Sequence, residues 1–252
     1  MHPCCCWSVT GPSERSCRVD AMSESEHTGG ASFPSFHERS GEYSAGDRAR
    51  IALTEVLREL VVASMRSTAA AADVDAARAL VVKALEHLSE SGPTGGAATD
   101  SHFMDRSPLM GLMNAIAPPM RAEVDPSVGE FGAVVCRVVF TEPFEGPPGH
   151  VHGGFVAAAF DEVLGQAQSL TGRPGMTGRL STTYRAPTPL HVEIVFRGWV
   201  ESVEGRKIFT RATAHAGETL CGECEGLFLS MPPELLGRLR KGRDIAARED
   251  QG

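Results

Sequence analysis

Residues 149–170 read GHVHGGFVAAAFDEVLGQAQSL, and their interpretation decides the fold. From Gly153 to Leu170 there is no proline, and Ala, Phe, Val and Leu fall on almost every side of the projected helix. A helix that is apolar nearly all round is a buried one. Asp161 and Glu162 interrupt it. Neighbouring helical residues project about 100° apart, so the two carboxylates cannot share a face. A buried carboxylate costs several kilocalories per mole unless it is paired or lines a cavity. One of the pair therefore reaches solvent or a basic partner while the other faces a site. The pattern alone also admits Asp161 as an ordinary exposed helix residue.

The approach to this helix, Gly149-His150-Val151-His152-Gly153-Gly154, carries a second signal. Two glycines at a helix start leave backbone N–H groups unhindered at the positive end of the helix dipole, a natural cradle for an oxyanion. Close packing against another backbone is the competing explanation of the same glycines. His152 has three candidate roles: orienting the loop, contacting substrate, or binding metal with His150. A His-x-His pair without further Cys or His at ligand spacing is a poor zinc site, so no metal is expected.

Outward from the helix the pattern is extended. Gly132–Phe140 reads as a strand, followed by the turn-rich Glu142–Gly149. After the helix come four strand-like runs, Gly178–Arg185, His191–Ser202, Arg206–Ala216 and Thr219–Met231. Val192, Ile194 and Phe196 alternate with Glu193 and Arg197, which is period two. Val203–Gly205 and Gly217–Glu218 are hairpin-short, so the last three strands should form an antiparallel meander. One apolar helix among antiparallel strands predicts a sheet curled round it, an α+β architecture. Cys221 and Cys224 lie in a strand pattern, where residues three apart point to opposite faces. They read as buried thiols rather than a metal or redox pair.

Towards the N-terminus, Leu53, Val56, Leu57, Leu60 and Val61 recur at helical spacing, as do Val74, Ala77, Val81, Ala84 and Leu88. The two stretches predict an amphipathic helical hairpin over residues 46–91, with Asp73 as the second N-cap, and each must find a partner for its stripe. Residues 92–100 read as a linker and 101–232 as the main domain, opening with a Met- and Pro-rich segment up to Met120. Its Met104, Met110 and Met113 are candidates for a soft apolar flap or for gap-filling in the core. Residues 1–45 are predicted to be a disordered leader, with Met22 a plausible true start, and 233–252 a charged tail.

Composition excludes other classes. A net charge of −8 and a pI near 5.6 give no footprint for a nucleic-acid backbone, and no window reaches the ~20 apolar residues of a membrane span. The seven cysteines are odd in number, and Cys4, Cys5, Cys6 and Cys17 sit in the leader. That is no disulfide framework and points to a reducing, cytoplasmic setting. There is no Gly-x-Ser-x-Gly elbow, Walker A or dinucleotide fingerprint, and no cofactor is expected.

Residues 145–231 resemble the hotdog-fold acyl-CoA thioesterases of the phenylacetate-pathway type, and especially the branch with the animal mitochondrial long-chain enzymes. The matching elements are Gly-Pro-Pro-Gly at 146–149, His152-Gly153-Gly154, Asp161, Met176-Thr177, Tyr184-Arg185-Ala186-Pro187 and Val203-Glu204-Gly205-Arg206-Lys207. The resemblance implies a hotdog fold and a homodimer or homotetramer with sites between subunits, acting on acyl-CoA. It implies that the Gly153 N–H polarises the thioester carbonyl, with His152 and Gly154 shaping that pocket. Asp161, supplied by the neighbouring subunit, is the implied general base or nucleophile, and Thr177 assists it. A looser match adds Asn114. Arg173, Arg179, Arg185, Arg206 and Lys207 are candidates for the phosphates of CoA. Hotdog hydratases resemble one another in a His five residues after the helix Asp; Gln166 stands there instead. The alternative function is a non-catalytic acyl-CoA-binding module, a sensor or scaffold on the same fold.

Overall fold

A computed structural model describes residues 42–90, 104–173 and 175–231. The expected leader (up to residue 41), the linker and the tail lie outside the described residues. Helices α1 (Ala45–Arg66) and α2 (Ala71–Glu90) precede strands β1 (Arg121–Asp125) and β2 (Ala133–Val139). The long helix α3 (Gly153–Ser169) follows, then β3 (Gly175–Tyr184), β4 (Glu193–Glu204), β5 (Lys207–Ala216) and β6 (Thr219–Ser230).

The six strands form one antiparallel sheet in the order β1-β2-β4-β5-β6-β3. The meander β4-β5-β6 is the expected one, and its turns are closed by Gly205 and Gly217, both at positive φ. Strand β1 was not anticipated. Its sequence, Arg-Ala-Glu-Val-Asp, lies at a sheet edge with its first four residues exposed, so no apolar alternation marks it.

Helix α3 lies against β2–β6, and the core sits between helix and sheet. Phe140, Phe160, Phe196, Phe228, Leu164, Ile194 and Ile208 are fully buried there. Phe160 meets Phe196 edge-on, with ring centroids 5.1 Å apart. The approach is close because of two strand glycines. A Cβ on Gly198 would lie 2.7 Å from Val163 Cγ1, and one on Gly226 would lie 3.0 Å from Leu164 Cδ1. A sheet wrapped on one buried helix is the hotdog fold expected above.

The N-terminal helices form where the periodicity predicts, with sharper starts. Helix α1 begins two residues before Asp47, capped by Ser44, whose hydroxyl accepts from the Asp47 N–H while the Asp47 carboxylate accepts from the Ser44 N–H. Asp73 lies inside the first turn of α2 rather than capping it. The two are a hairpin in connectivity, but all twenty residues of α2 are exposed and its stripe covers no other element among the described residues. Helix α1 is tied to the main domain by Arg58, which donates to the carbonyls of Gly111 (2.7 Å) and Asn114 (2.9 Å), and by the pairing of Arg66 with Glu142. The Met- and Pro-rich segment follows irregular turns beside α3, with Met104, Met110 and Met113 half-buried. No helix among the described residues is long and apolar enough to cross a membrane.

Candidate active site

Helix α3 begins abruptly at the glycine pair. His152 is its N-cap, in extended conformation at φ −60° and ψ 130°, and its Nδ1 accepts the Gly154 N–H at 3.0 Å. That contact requires an Nδ1 without hydrogen. Of the three roles open to His152, the geometry displays loop orientation. It also means that the Gly154 N–H is already engaged. The Gly153 N–H has no hydrogen-bond partner among the described residues, and it stands at the positive end of α3.

Tyr184, at the end of β3, closes one side of this turn. Its hydroxyl donates to the Gly153 carbonyl at 2.7 Å, and a Cβ on Gly153 would come within 3.3 Å of its ring. Close packing and a free N–H therefore coexist at this glycine. The Tyr184 contact joins residues 31 apart, which no local pattern reveals.

Asp161 sits eight residues along α3, half-buried, and accepts a hydrogen bond from Thr177 Oγ1 at 2.8 Å. Thr177 lies beside a register shift in β3, between Thr177 and Arg179. Such a bulge re-aims side chains and is common next to sites. Eight residues at ~1.5 Å rise place Asp161 about 12 Å along the axis from Gly153. The structure thus brings Asp161 to Thr177, and His152 to Gly153 and Gly154, but keeps the two groups apart within one chain.

Glu162 takes the other face, beneath the Met- and Pro-rich segment. Burial pushes its carboxyl above the usual carboxylate range, opposed by hydrogen bonds from Ser107 (3.2 Å) and Gln166. The nearby Asp161 charge adds to the rise. Gln166 is itself buried and donates to Met110 Sδ.

The remaining candidates are dispersed. The Asn114 side-chain amide donates to the carbonyls of Arg106 and Ser107 and its oxygen accepts from the Ile116 N–H, so it holds its own loop. Arg185 pairs with Glu223 at 2.7 Å and, with Gly153 and Tyr184, lines a cavity of about 360 Å³. Arg173 and Arg206 instead bond the carbonyls of Gly205 and Ser230, near the β4–β5 turn. Arg179 and Lys207 are exposed on strands. The His150 ring contacts the Pro148 carbonyl, and no cluster of metal-ligating side chains occurs among the described residues. Cys136, Cys221 and Cys224 are buried and free, with burial pushing the Cys136 thiol up to about 12.

A larger apolar cavity of about 720 Å³ lies on the other flank of the turn, with Phe144, Phe155 and Ala158 among its lining. Phe155 and Phe144 meet edge-on at 5.0 Å. Neither ring was singled out in the sequence.

The Thioesterase superfamily model matches residues 148–223, which span the turn, α3, β3 to β5 and the start of β6. Acyl-coenzyme A thioesterase THEM4 of Mus musculus is 36% identical over 92 residues, covering 36% of this chain and 40% of that protein. The protein of the same name from Xenopus laevis is 35% identical over 91 residues, covering 35% of this chain and 41% of that protein. The chain thus spans about two fifths of the length of these curated relatives. The crystal structure of a thioesterase superfamily protein is 34% identical, with a TM-score of 0.63, covering 71% of this chain and 94% of that one. A likeness that takes in nearly the whole of that relative, with the glycine turn and Asp161 inside the matched region, means that this chain belongs to the thioesterase superfamily.

Proposed function

We propose that the protein hydrolyses acyl-CoA thioesters at sites shared between two copies of the chain. The observation that carries this reading is the division of chemistry along α3. A free donor stands at one end and a Thr-supported carboxylate about 12 Å further on, too far apart to act on one carbonyl within a single chain. Two helices lying antiparallel would bring the Gly153 N–H of one copy to Asp161 of the other. The ten-residue β3 supports this arrangement: it is a sheet edge that pairs only with β6 among the described residues, and its outer N–H and C=O groups suit pairing with a second copy. The relatives named acyl-coenzyme A thioesterase supply the substrate class.

In the reaction the Gly153 N–H and the dipole of α3 stabilise negative charge on the carbonyl oxygen. Asp161, held by Thr177, either takes a proton from the attacking water or attacks the carbonyl carbon itself. In both routes the C–S bond breaks and the CoA thiolate gains a proton. On the direct route water has added to the carbonyl carbon. On the nucleophilic route the acyl group passes to Asp161 as a mixed anhydride that water then hydrolyses, freeing the acid and restoring the carboxylate. Arg185 stands beside the cradle, where it would meet the polar arm of the substrate. The buried free thiols support a reducing, cytoplasmic setting.

Proline at position 153 tests the cradle directly. His152 already has the extended backbone that precedes proline, and the first helical position tolerates it, so Gly153→Pro removes the donor and keeps the helix start. It also adds a Cβ 3.3 Å from the Tyr184 ring and a Cδ where the hydrogen stood. Gly153→Ala adds the same Cβ and keeps the donor. CoA release from the full chain should fall about 10²–10³-fold in Gly153→Pro and far less in Gly153→Ala. Asp161→Asn should lower it by roughly 10²–10⁴-fold with the fold intact. Equal activities for the proline and alanine variants would remove Gly153 from the mechanism. Binding of acyl-CoA without turnover in the wild type would favour the non-catalytic module.

A further inference from the structure

Beside the glycine turn lies the large apolar cavity, and its outer wall lies outside the residues 148–223 that the superfamily model matches. Val61, Val62 and Ala63 of α1 form that wall. They face Phe144, Phe155 and Ala158 across the cavity, and all three lie far upstream of the residues 148–223 matched by the superfamily.

The cavity connects to the chemistry through short links. Phe155 is the second residue after Gly153, and its ring lies 6.3 Å from that of His152. The Phe144 carbonyl accepts the His152 N–H at 2.8 Å. The chamber therefore opens within one helical turn of the free donor. The smaller cavity with Gly153, Tyr184 and Arg185 lies on the opposite flank. A thioester has two arms of opposite character that diverge from its carbonyl. With the carbonyl oxygen at Gly153, the apolar flank suits the acyl arm and the flank with Arg185 the polar arm.

The wall is anchored. Arg58 bonds the Gly111 and Asn114 carbonyls, and Arg66 pairs with Glu142, which itself contacts His191. These contacts hold α1 at its middle and its C-terminal end, across the mouth of the chamber. A volume of about 720 Å³ lies within the usual range for a ligand pocket.

Resting on the thioesterase reading, we propose that α1 is the chain-length determinant of this enzyme, with Val62 and Ala63 setting the depth of the acyl chamber. The N-terminal helix is then part of the specificity machinery rather than an appendage. Each methylene that enters the chamber should raise kcat/KM roughly fourfold until the chamber is full.

The test uses the full-length protein and a panel of saturated acyl-CoAs from acetyl to palmitoyl, with kcat/KM measured at each length. Val62→Trp and Ala63→Phe should lower kcat/KM at least tenfold for the longest chain the wild type prefers, and leave acetyl- and butyryl-CoA within about twofold. Val62→Ala adds no bulk and should move the preferred length upward. It carries the test if the bulky variants lose their circular dichroism or native mass. An unchanged length profile in all three variants, or an equal fall at every length, would overturn the proposal and leave the chamber to another occupant. A wild-type protein that hydrolyses no member of the panel would overturn the thioesterase reading itself, a separable failure.

Discussion

Helices α2 and α3 are of similar length and both carry Leu, Val and Ala at helical spacing, yet they have opposite fates. Helix α3 buries Val156, Ala159, Phe160, Val163 and Leu164, while α2 buries no residue and leaves Leu80 and Leu85 about two-thirds exposed. The difference lies in the rest of the chain. Helix α3 faces a sheet whose strands carry Gly198 and Gly226 where the helix must come close. No described element offers α2 such a surface. An apolar stripe states that a helix is to be covered, and the covering surface is written elsewhere in the sequence.

This contrast can be broken or sharpened by substitution. The largest effect is expected at Phe160, where Phe160→Ala opens a cavity against Phe196 and should cost about 3–5 kcal/mol in urea denaturation. A loss no greater than that of a surface change would mean that α3 is not the core element described here. Next comes His152→Ala, which deprives the Gly154 N–H of its acceptor and should cost about 1 kcal/mol.

Glu162→Gln probes the other face of α3 through pH. Because burial raises the folded-state pKa of Glu162, the folded chain holds its proton more tightly than the unfolded one. The stability linked to that proton is fully present below the ordinary carboxylate range and is lost as pH rises through the raised folded value. Thermal melts of Glu162→Gln should therefore decline less over that window than those of the wild type. A parallel decline would mean that Glu162 is solvated. The smallest effect belongs to α2, where Leu85→Ala should change stability by no more than about 0.5 kcal/mol. A loss of several times that size, dependent on protein concentration, would show that a second chain covers the helix and that its exposure belongs to the isolated chain alone.

Much of the fold was legible because its signals are local. The absence of proline and the all-round apolarity of 153–170 announced α3 to within a residue, and two short turns announced the meander. Strand β1 escaped because a short, charged edge strand has no apolar face to alternate. The Ser44–Asp47 cap is written in the sequence as Ser-x-x-Asp, and it starts the helix one residue before the position 46 that the apolar periodicity predicts. At the site, the glycine turn announced a donor through helix-end geometry, and the free Gly153 N–H fits that expectation. The Asp161–Thr177 contact came from the resemblance rather than from residue spacing, since sixteen residues from helix to edge strand fix no distance. Tyr184 against Gly153 and Arg58 on the Gly111 and Asn114 carbonyls are long-range contacts with no local signature. Asn114 shows the converse: a polar residue in a loop near a site, whose side chain is spent on the loop itself.

The axial separation of Gly153 and Asp161 along α3, about 12 Å, has a consequence for mixtures. On the reading proposed above, Asp161→Asn and Gly153→Pro each silence both sites of a dimer made from one kind of chain. A hybrid dimer pairs the intact donor of the first chain with the intact carboxylate of the second at one site, and gathers both defects at the other. Two inactive preparations, unfolded and refolded together, should then recover activity that neither shows alone, and a chain able to complete its own site would never behave in this way.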